Sequence, residues 1–91
     1  MKTQYEIDGS AAWRQVDGHV FVITTDSRQH EVTGAVELFV WGQLALGPQD
    51  LKSLVDGVCS TFKVDKKTAN FDLGSFMTHL AAAGIINEIS K

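Results

Sequence analysis

The pattern of apolar and polar positions changes character at Gly34. Before it lie short runs of strand type; after it the apolar residues recur at helical spacing. Ala11–Val16, carrying Trp13 and Val16, predicts a first strand. Asp17-Gly18 follows, a two-residue hairpin signal whose glycine accepts positive φ. His19–Thr24 (His-Val-Phe-Val-Ile-Thr) is rich in β-branched and aromatic residues and predicts a second strand. Asp26-Ser27 turns the chain again. Arg28–Val32 predicts a third strand, polar enough to sit at an edge with water or a ligand on one side. Residues 1–10 are expected as a loose N-terminal arm, with one domain over residues 11–91.

Gly34–Leu46 is apolar nearly all round, which predicts a helix sandwiched between other elements, with Thr33 as its cap and Glu37 near its positive end. Gly47-Pro48 is expected to end that helix and start the next. In the second helix, about residues 48–61, Leu51, Leu54, Val55, Val58, Cys59 and Phe62 form one continuous stripe. Gly57 interrupts it, at a cost of about 1 kcal/mol relative to alanine. Lys63–Ala69 reads as a linker holding the basic cluster Lys63, Lys66 and Lys67. Asn70 is expected to cap a third helix over Phe71–Ala83, whose inner stripe is Leu73, Phe76, Met77 and Leu80. Gly84 is a natural stop, with Ile85 folding back onto the last turn. The sum is an α+β chain, winged helix-turn-helix-like: a three-stranded antiparallel sheet followed by three helices.

Composition sharpens this. The 91 residues are 44% hydrophobic and 21% charged, as in a folded domain, and the net charge is −3. That balance argues against polyanions such as nucleic acid or an anionic membrane. The expected third helix carries no Lys or Arg, where a DNA-reading helix would need them. No stretch approaches the roughly 18 apolar residues of a membrane span. A single cysteine, Cys59, excludes an intramolecular disulfide, and without a signal-like start the cytoplasm is the expected location.

Candidate chemistry is sparse. His19, His30, His79 and Cys59 stand in no metal-ligand spacing, and no P-loop, GxGxxG, GxSxG or HExxH occurs. Cys59 falls on the apolar stripe of the second helix and reads as core. His19 follows a turn and reads as solvated; His30 and His79 read either as exposed polar residues or as a pair facing one groove. No cofactor, no metal and no catalytic residue are expected.

From Asp17 to Asn87 the order of features resembles the PqqD-like family, the recognition domains for precursor peptides in ribosomal peptide modification pathways. Gly18-His19-Val20-Phe21-Val22 is similar to the family's second strand. His30-Glu31-Val32-Thr33-Gly34-Ala35 sits where the family turns from a strand into helix one. Gly47-Pro48-Gln49-Asp50-Leu51 and Phe62-Lys63-Val64-Asp65 match its two inter-helix turns. Asp72-Leu73-x-x-Phe76-Met77-x-x-Leu80-x-x-x-Gly84-Ile85-Ile86 is the most specific piece. The chain departs from the family at Val32, where an Asn is expected, and over Trp41–Leu46, where a Cys-Asp-Gly-like segment stands in authentic PqqD. These departures imply a relative serving another modified peptide.

The resemblance implies a leader-peptide binder. The leader segment of a precursor would add as a strand along Arg28, Gln29, His30, Glu31 and Val32. It would rest against Asp72, Ser75, Phe76, His79 and Ala83 of the third helix. An imidazole touching the peptide would make binding pH-sensitive near about pH 6.5. The chain would perform no chemistry and would present the precursor to a separate modifying enzyme, in this family often a radical S-adenosylmethionine protein. Two other classes compete: a winged-helix DNA-binding regulator, and a homo-oligomeric protein interaction module. The sequence leaves monomer and homodimer both open, since an exposed strand edge pairs equally with a second copy.

Overall fold

The structure, a computed structural model, describes residues 3–90; Met1 and Lys2 of the expected arm, and Lys91, lie outside the described residues. The wing follows the hydrophobic pattern closely. Three strands, Ala12–Val16, His19–Ile23 and Gln29–Thr33 (here β2, β3 and β4, because a strand β1 precedes them at Thr3–Ile7), pair antiparallel in the order β2-β3-β4. The register sets Trp13 opposite Val22 and Val22 opposite His30. Directly paired residues share a face. Trp13, Val20, Val22, His30 and Val32 therefore point inward, and Val16, Phe21, Ile23 and Glu31 point outward. Asp17 and Gly18 turn the first hairpin, both with positive φ. The second is closed by Thr24 N–H donating to the Arg28 carbonyl (3.0 Å) and Ser27 N–H to the Thr24 carbonyl (2.9 Å), with Ser27 in the left-handed region at φ 65°. This is a three-residue hairpin loop ending in a left-handed residue.

Helices α1 (Ala35–Leu46), α2 (Leu51–Phe62) and α3 (Lys66–Ala82) follow. Their starts differ from the expected ones. Gly34, at φ 105°, is the N-cap of α1, and no side chain caps it; Thr33 ends β4 instead. Pro48 does not open α2. Asp50 does, its side chain accepting from Ser53 N–H at 2.7 Å, and Gln49–Asp50 form a two-residue strand, β5. The expected linker shrinks to Lys63–Asp65, because Asp65 caps α3 by accepting from Thr68 N–H at 3.0 Å. Asn70 lies inside the helix, and Lys66 and Lys67 stand in its first turn, so α3 is not free of positive charge. The predicted C-terminal stop matches the backbone closely. Gly84 N–H bonds the Ala81 carbonyl and Ile85 N–H bonds the Leu80 carbonyl, a Schellman motif with Gly84 at φ 80°.

The chain ends also form structure. β1, in the segment expected as an arm, pairs with β5 and with a C-terminal strand β6 (Ile86–Ser90), giving a second antiparallel sheet in the order β5-β1-β6. Tyr5 and Glu88 stand opposite one another there. Burial and then Glu88 push the Tyr5 phenol above its ordinary value. A raised folded value means that the contribution to stability is complete below the unfolded value of about 10 and is lost as pH rises through the folded one. The thermal midpoint should therefore fall more steeply above about pH 10 in the native chain than in Tyr5→Phe, a comparison that thermal melts across that range read directly.

One core joins these parts. Val20, Val22 and Val32 of the wing meet Val40, Trp41 and Leu44 of α1, Leu54, Val55 and Val58 of α2, Leu73, Met77 and Leu80 of α3, and Ile85 and Ile86. Helix α1 packs against β4, β1 and α2, which accounts for its nearly all-round apolar surface; Leu46 at its end stays exposed. Gly57 has a packing reason, since a Cβ there would come within 3.2 Å of the Phe39 ring. Cys59 is half-buried against the core. Trp13 sets its ring edge-on to Trp41, centroids 5.3 Å apart, with part of its surface in solvent.

Candidate functional site

Strand β4 is bonded to β3 on one side only, so its other edge is open among the described residues. The Thr24–Arg28 bond sets the phase of the ladder. Residues of an antiparallel pair alternate between bonded and non-bonded positions. Counting from that bond, His30 and Val32 turn their backbone groups toward β3. Gln29, Glu31 and Thr33 turn theirs toward the open edge. Each N–H and C=O there is available to an incoming chain, and their spacing is that of a strand.

Beside this edge lies a groove of about 330 Å³. Asp26, Arg28 and His30 line one wall, and His79, Ala82 and Ala83 at the end of α3 line the other. His30 is half-buried, and its Nε2 is buried with no hydrogen-bond partner. Arg28 is largely in solvent and meets Asp26 at 3.2 Å through Nε. Asp26 also accepts from the Thr24 hydroxyl. That hydroxyl is the main reason the Asp26 carboxyl titrates below its usual range, with the backbone N–H and the guanidinium of Arg28 adding to it. The loop is thus tied to the end of β3, which fixes the start of the open edge. On the outer face of the sheet, Glu31 pairs with His19, and His19 stacks on Phe21 with centroids 6.1 Å apart.

Helix α3 forms a second, wider concavity of about 720 Å³ with the start of α2, lined by Leu51, Phe71, Ser75, Thr78, His79 and Ala82 among others. His79 and Ala82 belong to both hollows, so this part of α3 is the ridge between them.

The structure distributes the residues expected from the sequence as follows. Arg28, His30, His79 and Ala83 come together in the groove beside β4. Gln29 and Glu31 supply the open backbone edge. Ser75 lies in the second concavity, Asp72 is exposed on α3, and Phe76 is half-buried against the core. Val32 is buried, its side chain spent on the core. Asp26 and Ala82 line the groove without having been expected. Ala82 stands three residues after His79, so the helical period carried that signal. Phe71, highly exposed on α3, was expected only as the start of that helix. Among the described residues, no three His, Cys, Asp or Glu side chains come together as a metal site, and no helix is long and apolar enough to cross a membrane.

No protein-family model matches the chain, and no curated protein does. A solved structure does: TbiB1 in complex with the TbiA(beta) leader peptide. It superposes with a TM-score of 0.82 at 20% sequence identity, over 94% of this chain and 99% of that one. At such identity the likeness is one of fold. The chain has the α+β fold of TbiB1, a three-stranded antiparallel sheet followed by helices, with a second small sheet closing it.

Proposed function

We propose that this protein binds the leader segment of a ribosomally synthesised precursor peptide as an added strand on β4 and presents it to a separate modifying enzyme. The observation that carries this reading is the open β4 edge, running beside a groove whose far wall is the end of α3. The fold likeness to a leader-bound structure supports it. Main-chain bonds along the edge would give register, each contributing about 0.5–1.5 kcal/mol. Side chains of the added strand alternate between its two faces. Every second one would settle between β4 and α3, against His79, Ala82 and Ala83.

The finer parts of the reading belong to the same proposal. The chain is of PqqD-like type, works in the cytoplasm, holds no cofactor and performs no chemistry. A radical S-adenosylmethionine protein is one class of modifying enzyme that it would serve. Tethering the precursor raises its local concentration at that enzyme.

An NMR titration of the labelled protein with leader peptides encoded beside its gene tests this. Shifts should concentrate on residues 28–33 and 79–83. Duplex DNA and the protein's own dilution series are the controls. Shifts with DNA alone, or with neither ligand, would remove the reading. His79→Ala should leave the thermal midpoint within about 2 °C, because the side chain is exposed. It should weaken leader binding severalfold. Unchanged affinity would move the site away from α3.

A further inference from the structure

The groove beside β4 has hydrogen-bonding capacity that the fold leaves unused, and all of it donates or can donate. His30 projects inward from β4, and its Nε2 is buried without a partner. Buried polar atoms are almost always paired, so an orphan on a residue that lines the groove is bonding capacity that a turn of the imidazole would present to a ligand atom. His79 faces the same groove from α3. Arg28 reaches it from the start of the strand, with Nε toward Asp26. The only acidic side chain in the lining, Asp26, is already engaged by the Thr24 hydroxyl and by Arg28.

We propose that the groove selects leader peptides carrying an Asp or Glu side chain at the position of the added strand that faces His30 and His79. This rests on the leader-binding reading and names what that site recognises. A carboxylate is an acceptor-only group with two oxygens, so it can take a hydrogen bond from each of two imidazoles. A carboxamide at the same place offers one oxygen and brings two N–H donors to a wall already rich in donors. Charge-assisted bonds of this kind are about twice as strong as neutral ones. A backbone carbonyl of the added strand is not the natural partner. It pairs with the edge amides of Gln29 and Glu31, whereas the His30 side chain lies on the inner face of the sheet.

The arrangement also couples binding to protons. Histidine is the side chain that ordinarily changes charge between about pH 5 and 8. A carboxylate between His30 and His79 favours their protonated forms, so the complex takes up protons and tightens as pH falls across that interval. The other charged groups facing the site are Asp26 and Arg28. They oppose one another, and the lowered Asp26 carboxyl stays ionised throughout this interval.

The experiment is a selection from a displayed library of random dodecapeptides against the intact protein at about pH 6, within the histidine range. Selected peptides are sorted by whether they shift the β4 amides. An Asp or Glu enriched at one position is the expected result. Its replacement by Asn or Gln should weaken binding at least about tenfold at pH 6, and less at about pH 8. In His79→Ala and His30→Gln the penalty of that replacement should shrink. Peptides that shift β4 but show no acidic preference, or bind equally at both pH values, would overturn this proposal and leave strand addition standing. A library that yields no β4-shifting peptide would overturn both.

Discussion

Replacing Trp41 by alanine should cost the domain about 3–5 kcal/mol, the upper range for deleting a large buried aromatic side chain. Trp41 is 1% exposed and the largest fully buried residue of the core. It sits on α1 where the wing, α2 and β1 converge, and Trp13 of β2 closes over it edge-on. No neighbour can fill the space, since α1 is held from three sides. A domain of this length has a total stability of roughly 5–14 kcal/mol. The variant would therefore lose between about a fifth and all of it. In a two-state melt this is a drop of about 12–40 °C, at 4–8 °C per kcal/mol. Trp13→Ala is the control. With 41% of its surface already in water it should cost about 1–2 kcal/mol. Circular dichroism is the suitable probe, because either change removes a fluorophore. Equal losses in the two variants would mean that the two rings act as one unit at the surface, contrary to the burial described.

The second large effect concerns binding. Glu31→Pro should weaken leader binding about 30-fold or more while the domain stays folded, whereas His30→Pro should destabilise the domain itself. The two residues are adjacent, yet the ladder assigns their N–H groups to opposite sides. Proline at Glu31 removes an edge donor and places its ring in the path of an added strand. It breaks no bond within the sheet. The Glu31–His19 pair lost with it is half-exposed and contributes at most about 1 kcal/mol. A 30-fold loss corresponds to about 2 kcal/mol, the sum of a hydrogen bond and a steric misfit. Proline at His30 deletes a bond to β3 opposite Val22, in the best-packed part of the wing. Its damage should show in the melting curve first. The pair of measurements, a melt and a binding isotherm for each variant, separates the site from the scaffold. Full leader affinity in Glu31→Pro would end the case for strand addition at β4.

Local rules carried the sequence reading where one rule dominated. Asp17-Gly18 between two β-branched runs has one interpretation, and so does the apolar stripe from Leu51 to Phe62. Gly84-Ile85 announced its Schellman motif as plainly. The reading faltered where two rules competed. Asp65 and Asn70 are both good caps, and the lysines between them suggested a solvated linker. Asp65 prevails because a start there lets Ala69 continue the buried stripe of Leu73, Met77 and Leu80. Pro48 looked like a first helical residue, but Asp50 offers a side-chain acceptor where Pro48 offers none. Strands β1, β5 and β6 were not legible because each is short, mixed in polarity and stabilised by a partner far away in the chain. Tyr5 and Ile7 alternate weakly, and Gln49–Asp50 is only two residues long. For the expected peptide contacts, the sequence led to residues on or beside β4 and α3. It did not show which faced the edge, the groove or the core, since that depends on the register of β3 against β4. Val32 shows the difference: adjacent to Glu31, it lies wholly on the core side.

The pairing of β1 with β6 also decides how this domain can be joined to other chains. Thr3 and Ser90 are cross-strand partners, so the polypeptide enters and leaves within about 5 Å of one point. A host protein would accommodate the whole unit in a single surface loop without stretching. Circular permutation is equally open: a short linker joining the two ends, with a new break at the Asp17-Gly18 turn between β2 and β3, keeps every strand pair. Because this clasp belongs to the sheet that does not contain β4, neither rearrangement covers the edge on which a peptide would lie.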